Sequence, residues 1–504
     1  MRKAIRFVLA ILATLAAGAA TACALPSYNL PIPFQLYALG ATAALAVSFV
    51  LVGYLVSTPS VVATANLKAF NIGRESRRSA SLIHFFTVGL QLLGVCGLAL
   101  TIATGIFGSP IPIANFNITF FFVIFVLGVA YASALMGDIY QFLNPWLAIC
   151  EWCDEHFPRA FRGRYSYPRA LAYYPALIFY MAYIWIELFA NISPFELSMV
   201  LVAYSVINIA GAWAFGKTVW FERCEFLAVL FRFIAKMAPI HYVRTGAQPG
   251  ALRIELRKPF IGLILEPATE ISALVFVLFM LSSTALDGAH ETLPWVGLFW
   301  KGIYPFLAGI GAGLEQPILF SVDAYYGWQW LMLFLSPLAY LLVYIAFILA
   351  AKVVSGSKRS LRSLILQFAY TLVPIAFVYN VTHYFTLFLA QGYQIGRMVS
   401  DPFNRGWNLF GTATWGTDPF IPDANTVWHV QVGLILVGHI VSVYLAHVEA
   451  LRIFPSSRKA AVSQLPMLVL MMVFTTLGLW ILSLPISAGQ ITDTAAMSTQ
   501  APSQ

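Results

Sequence analysis

Long runs of apolar residues alternate with short polar segments along almost the whole chain. A helix of about 20 apolar residues crosses the roughly 30 Å of hydrocarbon in a bilayer, and about ten runs reach that length. The pattern therefore predicts an all-α protein, a polytopic transmembrane helical bundle. The predicted spans lie near residues 36–58, 82–107, 118–137, 170–190, 196–216, 263–286, 328–354, 363–391, 426–451 and 464–487.

The N-terminus has the pattern of a secretory signal. Three basic residues precede a short apolar run at 7–20, and the tripeptide Ala22-Cys23-Ala24 follows it. A charged start, a short apolar stretch and small residues at a cleavage site are typical of a signal peptide, so we expect residues 1–24 to be removed. An uncleaved anchor and lipidation of Cys23 are the alternatives.

Composition and charge support a membrane protein. Of the 504 residues, 60% are hydrophobic and 10% charged, whereas a soluble protein carries about 25% charged residues. If the mature N-terminus lies outside, only Lys301, Arg397 and Arg405 of the 29 lysines and arginines fall in outside loops. Basic loops stay in the cytoplasm during insertion, so the net charge of +8 is explained by basic residues in cytoplasmic loops. We therefore expect no nucleic acid as a partner. We expect a bacterial inner membrane protein with both mature termini in the periplasm.

The remaining segments complete a single membrane domain over 25–487. Residues 218–237 mix apolar and charged side chains and predict an amphipathic helix on the cytoplasmic face. Segments 288–327 and 393–425 are rich in glycine and aromatic residues and are predicted to be external. The polar tail 488–504 is expected to be disordered.

Two histidines within predicted spans are the best candidates for a functional site. An ionisable group inside a bilayer costs several kcal/mol unless it is paired, hydrated or bound to metal. His383 and His439 lie at comparable depth on consecutive spans, and we expect them to converge. His429 and His447 share the span of His439 but are spread over roughly 27 Å of it, so the three cannot bind one metal. Each of these histidines could instead be an interhelical hydrogen-bonding residue.

Carboxylates near the ends of spans could complete such a site. Asp287 lies in TALDGAHETLPW, with His290 one turn later, and Glu187 lies in WIEL. Imidazole and carboxylate ligands suit Zn, Mn, Co or Fe, and a bound metal would activate water for hydrolysis. Asp287 could also simply cap the segment that follows it. The chain has no Walker A loop, dinucleotide-binding glycine motif, GxSxG or HExxH motif, which argues against P-loop pumps and familiar membrane metalloproteases.

Several blocks together resemble a known family, the bacterial membrane proteins called fenitrothion hydrolase, over about residues 28–452. The blocks are LPIPFQLYALGATAALAVSFV, DIYQFLNPW, WIEL, TALDGAHET, YNVTHYFTLFLAQG and WHVQVGLILVGHIVSVYLAH. The resemblance implies hydrolysis of the aryl P–O bond in lipophilic organophosphorus triesters, with release of a nitrophenol. It supplies no catalytic residues, so the site has to be argued from this chain alone.

Combining the resemblance with the membrane histidines gives a working hypothesis. His383 and His439, with Asp287 or Glu187, are predicted to hold one or two divalent metals. Tyr379 is predicted to orient the phosphoryl group and His447 to bind metal or to move protons; the lipophilic substrate would arrive through the lipid bilayer. The competing hypotheses are a proton-coupled transporter or lipid-handling permease, a haem or quinone protein, and a structural factor.

Overall fold

The computed structural model describes residues 33–55, 66–72, 77–244, 252–311, 317–416, 422–454 and 456–484. The predicted signal peptide 1–24 and the predicted tail 488–504 lie outside these residues. The described residues are mostly helical, with three short strands. The predicted all-α polytopic bundle is therefore confirmed.

Ten apolar helices correspond one by one to the ten predicted spans. Within the described residues, nine helices are long and apolar enough to cross a membrane; the helix in the predicted span 170–190 has only 16 residues. The ten helices are α1 (Phe34–Leu55), α2 (Arg77–Phe107), α3 (Phe116–Met136), α4 (Tyr174–Phe189), α5 (Pro194–Phe215), α6 (Ile271–His290), α7 (Pro317–Ser355), α8 (Val373–Gly392), α9 (Ala424–Ile453) and α10 (Ser457–Ser483).

Local sequence signals explain where several of these helices begin. Ser193 and Glu196 form a reciprocal capping box at the start of α5, which satisfies backbone N–H groups that have no partner in the first turn. Asp423 caps α9 by accepting a hydrogen bond from the Thr426 N–H. The predicted span 263–286 is interrupted, since residues 266–270 around Pro267 are not helical, and α6 starts only at Ile271.

Helix α6 lies at the centre of the bundle. Its most apolar 18-residue window is 78% buried inside the protein, against 11% for α1 and for α2. It packs against α7 and α8, while α8, α9 and α10 pack side by side. Helices α1 and α2 are therefore peripheral and present most of their surface to lipid, and polar groups on α6 and α8 are held inside the protein.

The structure contains a small antiparallel sheet that the sequence analysis did not predict. Strands β1 (Asn66–Ile72), β2 (Ile240–Arg244) and β3 (Leu252–Arg257) are arranged in the order β1-β3-β2. Hydrogen bonding between β1 and β3 requires the loops before α2 and before α6 to lie on one side of the membrane. The even number of crossings predicted between these loops agrees with this arrangement.

The prediction of one amphipathic helix at 218–237 is wrong. The segment forms two helices, Lys217–Arg223 and Phe226–Ala235, which are separated at Cys224 and Glu225. The Glu225 side chain is fully buried and accepts hydrogen bonds from the N–H groups of the second helix. Every residue of that second helix except Arg232 is buried, so it packs inside the protein and does not lie on a membrane surface.

The two segments predicted to be external are more helical than expected. Within 288–327, residues Leu293–Gly297, Leu298–Ile303 and Tyr304–Gly311 are helical, and α7 already begins at Pro317. Within 393–425, one short helix, Ile395–Ser400, contacts the first half of α3. Both segments adjoin the ends of α6 and α8 that carry the candidate site.

Candidate functional site

Asp287, in the last turn of α6, is the centre of a group of polar side chains. Its Oδ2 lies 2.7 Å from Nε2 of His383 on α8, and the Tyr384 hydroxyl donates a hydrogen bond of 2.8 Å to the same oxygen. The Asp287 side chain is 15% exposed and the His383 side chain 26%. Two predicted site residues, Asp287 and His383, therefore form a direct carboxylate–imidazole pair, here called the dyad.

A second histidine flanks the dyad. Nδ1 of His290 is hydrogen-bonded to the backbone carbonyl oxygen of Asp287 at 2.7 Å, so it acts as the donor. The same nitrogen lies 3.9 Å from Asp287 Oδ1, and the ring packs edge-on against Phe189. His290 therefore fixes the last turn of α6 and adds an imidazole beside the Asp287 carboxylate.

Glu187 on α4 lies near the Asp287 carboxylate of the dyad. It lines a cavity of about 40 Å³ together with Asp287, Asn380 and Tyr384. A buried water needs roughly 10–15 Å³ of such space, so this cavity has room for a few water molecules. Glu187 and Asp287, both predicted from the sequence, are thus brought to one cavity.

The free nitrogen of His383 faces a second, smaller cavity. This cavity measures about 20 Å³ and is lined by His383, Gly288 and the ring of Tyr379, among others. A Cβ atom placed on Gly288 would lie 3.8 Å from Nδ1 of His383. Nδ1 makes no hydrogen bond to any residue that the structure describes. It is therefore available to a molecule the size of one water in this cavity.

The contact between Asp287 and His383 determines which nitrogen of the imidazole is basic. An ionised carboxylate only accepts hydrogen bonds, so Nε2 of His383 must carry a proton where it meets Asp287. In the neutral imidazole the lone pair is then on Nδ1, which faces the 20 Å³ cavity. The dyad has the arrangement of a general base, in which a carboxylate fixes the tautomer and would stabilise the imidazolium that forms.

Tyr379 is engaged in packing between helices. Its hydroxyl donates a hydrogen bond of 2.6 Å to the Phe474 carbonyl of α10. The ring lies so close to Gly478 that a Cβ there would be 2.1 Å from the hydroxyl oxygen. The predicted role of orienting a phosphoryl group would require this hydrogen bond to break, whereas the ring does line the cavity beside His383.

His439 does not join the dyad. Its side chain is fully buried, with Nδ1 hydrogen-bonded to the Ile435 carbonyl at 2.8 Å, and Nε2 has no hydrogen-bond partner in the part of the chain that the structure describes. Its ring packs against Tyr379, with centroids 5.8 Å apart. Within the described residues, neither a hydrogen bond nor a ring contact joins it to His383. The expected convergence of His383 and His439 is not observed, because the His439 imidazole faces the aromatic ring of Tyr379.

His447 lies eight residues further along α9, about 12 Å away along the helix axis. It is 2% exposed, and its ring packs against Phe49 of α1. It belongs to the contact between α1 and α9. The predicted role of His447 in binding metal or moving protons stays a prediction.

The side chains that were predicted to bind a metal do not form a preformed ligand set in the described residues. Among the residues that the structure describes, no three or more His, Cys, Asp or Glu side chains are grouped so that they could hold a metal ion. Asp287 and Glu187 line a common cavity, but His439 is not part of it. Binding of a divalent metal therefore stays a prediction.

Tyr384 and Asn380 were not singled out from the sequence. With His383 they occupy positions i, i+3 and i+4 of α8, which share one side of a helix. The signal that could have identified them is the helical spacing of Asn380, three residues before an intramembrane histidine and four before Tyr384. Comparison with protein-family models, curated proteins and solved structures gives no match to this chain.

Proposed function

We propose that this protein is a membrane-embedded hydrolase of lipophilic organophosphorus triesters, and that His383 and Asp287 activate the attacking water. The observation that carries the proposal is the 2.7 Å contact between Asp287 and Nε2 of His383, which leaves Nδ1 facing a water-sized cavity. The substrate class comes from the sequence resemblance to fenitrothion hydrolase. The base comes from the geometry.

In the proposed reaction, Nδ1 of His383 takes a proton from a water molecule while the water oxygen attacks phosphorus. The aryl P–O bond breaks, and its electron pair leaves with the aryloxide, which is a good leaving group. The Asp287 carboxylate stabilises the imidazolium formed in this step. The imidazolium then gives its proton to the departing aryloxide or to solvent, which returns His383 to its neutral form.

The location of the dyad suits a neutral, lipophilic substrate. Asp287 lies at the end of α6 opposite the sheet, since β3 precedes the start of α6. The distribution of lysines and arginines supports a cytoplasmic position for the sheet and, in this proposal, a position of the dyad on the periplasmic side of a bacterial inner membrane. A triester dissolved in the bilayer would reach the dyad from the membrane without crossing water.

A divalent metal is a second form of the same proposal. Asp287 and Glu187 could hold a hard cation such as Mn²⁺ through carboxylate oxygens in the 40 Å³ cavity. When bound, such an ion would lower the pKa of a water molecule. Full activity after exhaustive chelation would remove this form and leave the dyad as the base.

The proposal is tested by turnover of purified protein with a nitrophenyl dialkyl phosphorothioate in H₂¹⁸O. We expect nitrophenol release and one ¹⁸O atom in the phosphorus-containing product. His383→Ala should lower kcat by about 10²- to 10⁴-fold, the usual contribution of a general base. His429→Ala is the matched control, because His429 is an exposed histidine on α9 that interacts with Asn425 and Tyr37.

Two results would contradict the proposal. One is the absence of nitrophenol release by folded, lipid-reconstituted protein. The other is equal turnover by the His383→Ala and His429→Ala variants, because the reaction would then proceed without the dyad.

Proton-coupled transport is the second candidate. The observation that favours it is the size of the two cavities at the dyad, about 40 and 20 Å³, which suffices for water and protons but not for a triester. A transporter would show proton-dependent flux of a solute in liposomes, abolished by His383→Ala, with no cleavage of any bond. Bond cleavage by the same preparation would decide for the hydrolase.

A further inference from the structure

A lipophilic triester needs more space than the dyad offers. Drug-sized ligands occupy pockets of about 300–1,000 Å³, and the cavities beside His383 and Glu187 total far less. The chain has a larger cavity of about 190 Å³ between α2 and α3. We call it the lateral cavity and define it by Leu93 and Leu98 of α2, Phe120 and Phe125 of α3, and Trp146.

The lateral cavity is apolar and opens towards lipid. Its lining contains one hydroxyl group, that of Thr101, which donates a hydrogen bond to the Gly97 carbonyl. The Trp146 N–H is likewise bound, to Ser205. Leu93, on the rim, is 64% exposed on a helix that is mostly unburied. A molecule dissolved in the bilayer can therefore reach the cavity sideways, and only an apolar group would be favoured inside.

The wall between the lateral cavity and the dyad is an unusual helix. Residues Thr119–Leu127 of α3 form a π-helix, in which hydrogen bonds run from i to i+5. Residues five apart therefore align, and Phe120 and Phe125 both face the lateral cavity, with their rings stacked. On the other face of the same helix, Val126 and Leu127 line the 40 Å³ cavity that contains Asp287 and Glu187.

We infer that the lateral cavity binds the aryl group of a lipophilic aryl triester that arrives from the bilayer. The substrate then moves past the π-helical part of α3, which separates the lateral cavity from the dyad. This inference rests on the proposed function. An aromatic ring is favoured over an acyl chain because Phe120, Phe121, Phe125 and Trp146 line a compact space. Aromatic rings gain additional stabilisation from stacked and edge-on contacts with one another.

Photoaffinity labelling tests the site independently of turnover. Full-length protein in lipid nanodiscs would be irradiated with an azidophenyl dialkyl phosphorothioate, and the labelled peptides identified by mass spectrometry. We expect label on α2 near Leu98 and on α3 near Phe125, and we expect excess fenitrothion to remove it. Label spread evenly over exposed helices, or displaced by added phospholipid but not by fenitrothion, would overturn the inference in favour of a lipid-filled cavity.

Filling the cavity gives a second, kinetic test. Leu98→Trp should reduce labelling and raise KM by about tenfold or more, the scale on which an apolar pocket discriminates by size, with less effect on kcat. Leu92→Trp is the control, because Leu92 is an exposed residue of the same helix. Val129→Phe fills the cavity from α3 and keeps the test valid if Leu98→Trp fails to fold.

The outcomes separate the inference from the proposed function. Labelling at the lateral cavity without nitrophenol release would support the binding site and refute the hydrolase. Hydrolysis that is lost in His383→Ala but unaffected in both folded filling variants would support the hydrolase and refute the lateral cavity as its substrate site.

Discussion

Replacing Asp287 by asparagine perturbs the proposed base with little change in shape. In the native protein the Asp287 carboxylate accepts hydrogen bonds from Nε2–H of His383 and from the Tyr384 hydroxyl. Both partners meet the same oxygen, Oδ2, so an asparagine presents either its carbonyl oxygen or its amide nitrogen to both of them. With the oxygen there, His383 keeps its tautomer, but no negative charge remains to stabilise the imidazolium. With the nitrogen there, Nε2 must accept, the proton moves to Nδ1, and the lone pair that faces the 20 Å³ cavity is lost.

The expected loss of activity is large and the expected loss of stability is small. Removing correctly oriented general-base catalysis costs about 10²- to 10⁴-fold in kcat, which is about 3–5 kcal/mol in activation free energy. Asp287→Asn retains hydrogen-bonding groups toward both neighbours, so its folding cost should stay below the roughly 3–5 kcal/mol expected when one partner of a buried pair is removed. Asp287→Ala should incur that larger cost.

Nitrophenol release and thermal unfolding, measured on the same detergent preparation, check both parts. We expect Asp287→Asn to unfold close to the wild-type temperature and to turn over at least a hundredfold more slowly. A normally folded Asp287→Asn variant that keeps more than about a tenth of the wild-type kcat would refute the assignment of the dyad as a base.

Three further predictions concern Tyr384 beside the dyad and two positions elsewhere in the fold. Tyr384→Phe removes one hydrogen bond to the Asp287 carboxylate and should lower kcat by about tenfold, measured by nitrophenol release. Gly105→Ala should lower the free energy of unfolding by about 1–3 kcal/mol, because the new Cβ would lie 2.1 Å from a hydroxyl oxygen of α5. Gly89→Ala is the control, since the space around Gly89 is open, and denaturant titration measures the free energy of unfolding of both variants. Burial alone would raise the pKa of Glu266, but its ion pair with Lys236 outweighs this and holds that pKa below the ordinary value. The stability it contributes is present near neutral pH and lost as the pH falls through the lowered pKa, so Glu266→Gln should flatten the acid side of a plot of melting temperature against pH.

The membrane architecture followed from the sequence because bilayer thickness constrains it so strongly. A run of about 20 apolar residues has few alternatives to a spanning helix, and all ten predicted spans contain an apolar helix. The main deviations occur at polar or helix-breaking positions. Pro267 delays the start of α6, and Glu225 divides the segment 218–237 because its carboxylate caps a new helix.

The sheet is hard to predict because its strands are short and lie in loops whose most prominent feature is their charge. In β3, Leu252, Ile254 and Leu256 alternate with charged residues, which is the period of a half-buried strand. That alternation was a usable signal. The pairing of β3 with β1, nearly 200 positions earlier, is a long-range contact that no local pattern specifies.

The candidate site was predictable in its residue types but not in its partners. The cost of placing ionisable groups inside a bilayer directed attention to His383, Asp287 and Glu187, and the structure brings these residues to adjoining cavities. The same argument selected His439, but depth along a helix does not determine rotation about its axis. The ring of Tyr379 occupies the position beside His439 where the sequence argument placed His383.

The tautomer of His383 is the most direct test of the proposed base. Nitrogen NMR of protein labelled with ¹⁵N-histidine, compared with His383→Ala to assign the signal, distinguishes a protonated from an unprotonated ring nitrogen. At a pH where the imidazole is neutral, we predict a protonated Nε2 and an unprotonated Nδ1 for His383. A protonated Nδ1 with an unprotonated Nε2 would contradict the contact with Asp287 and, with it, the activation of water by the dyad.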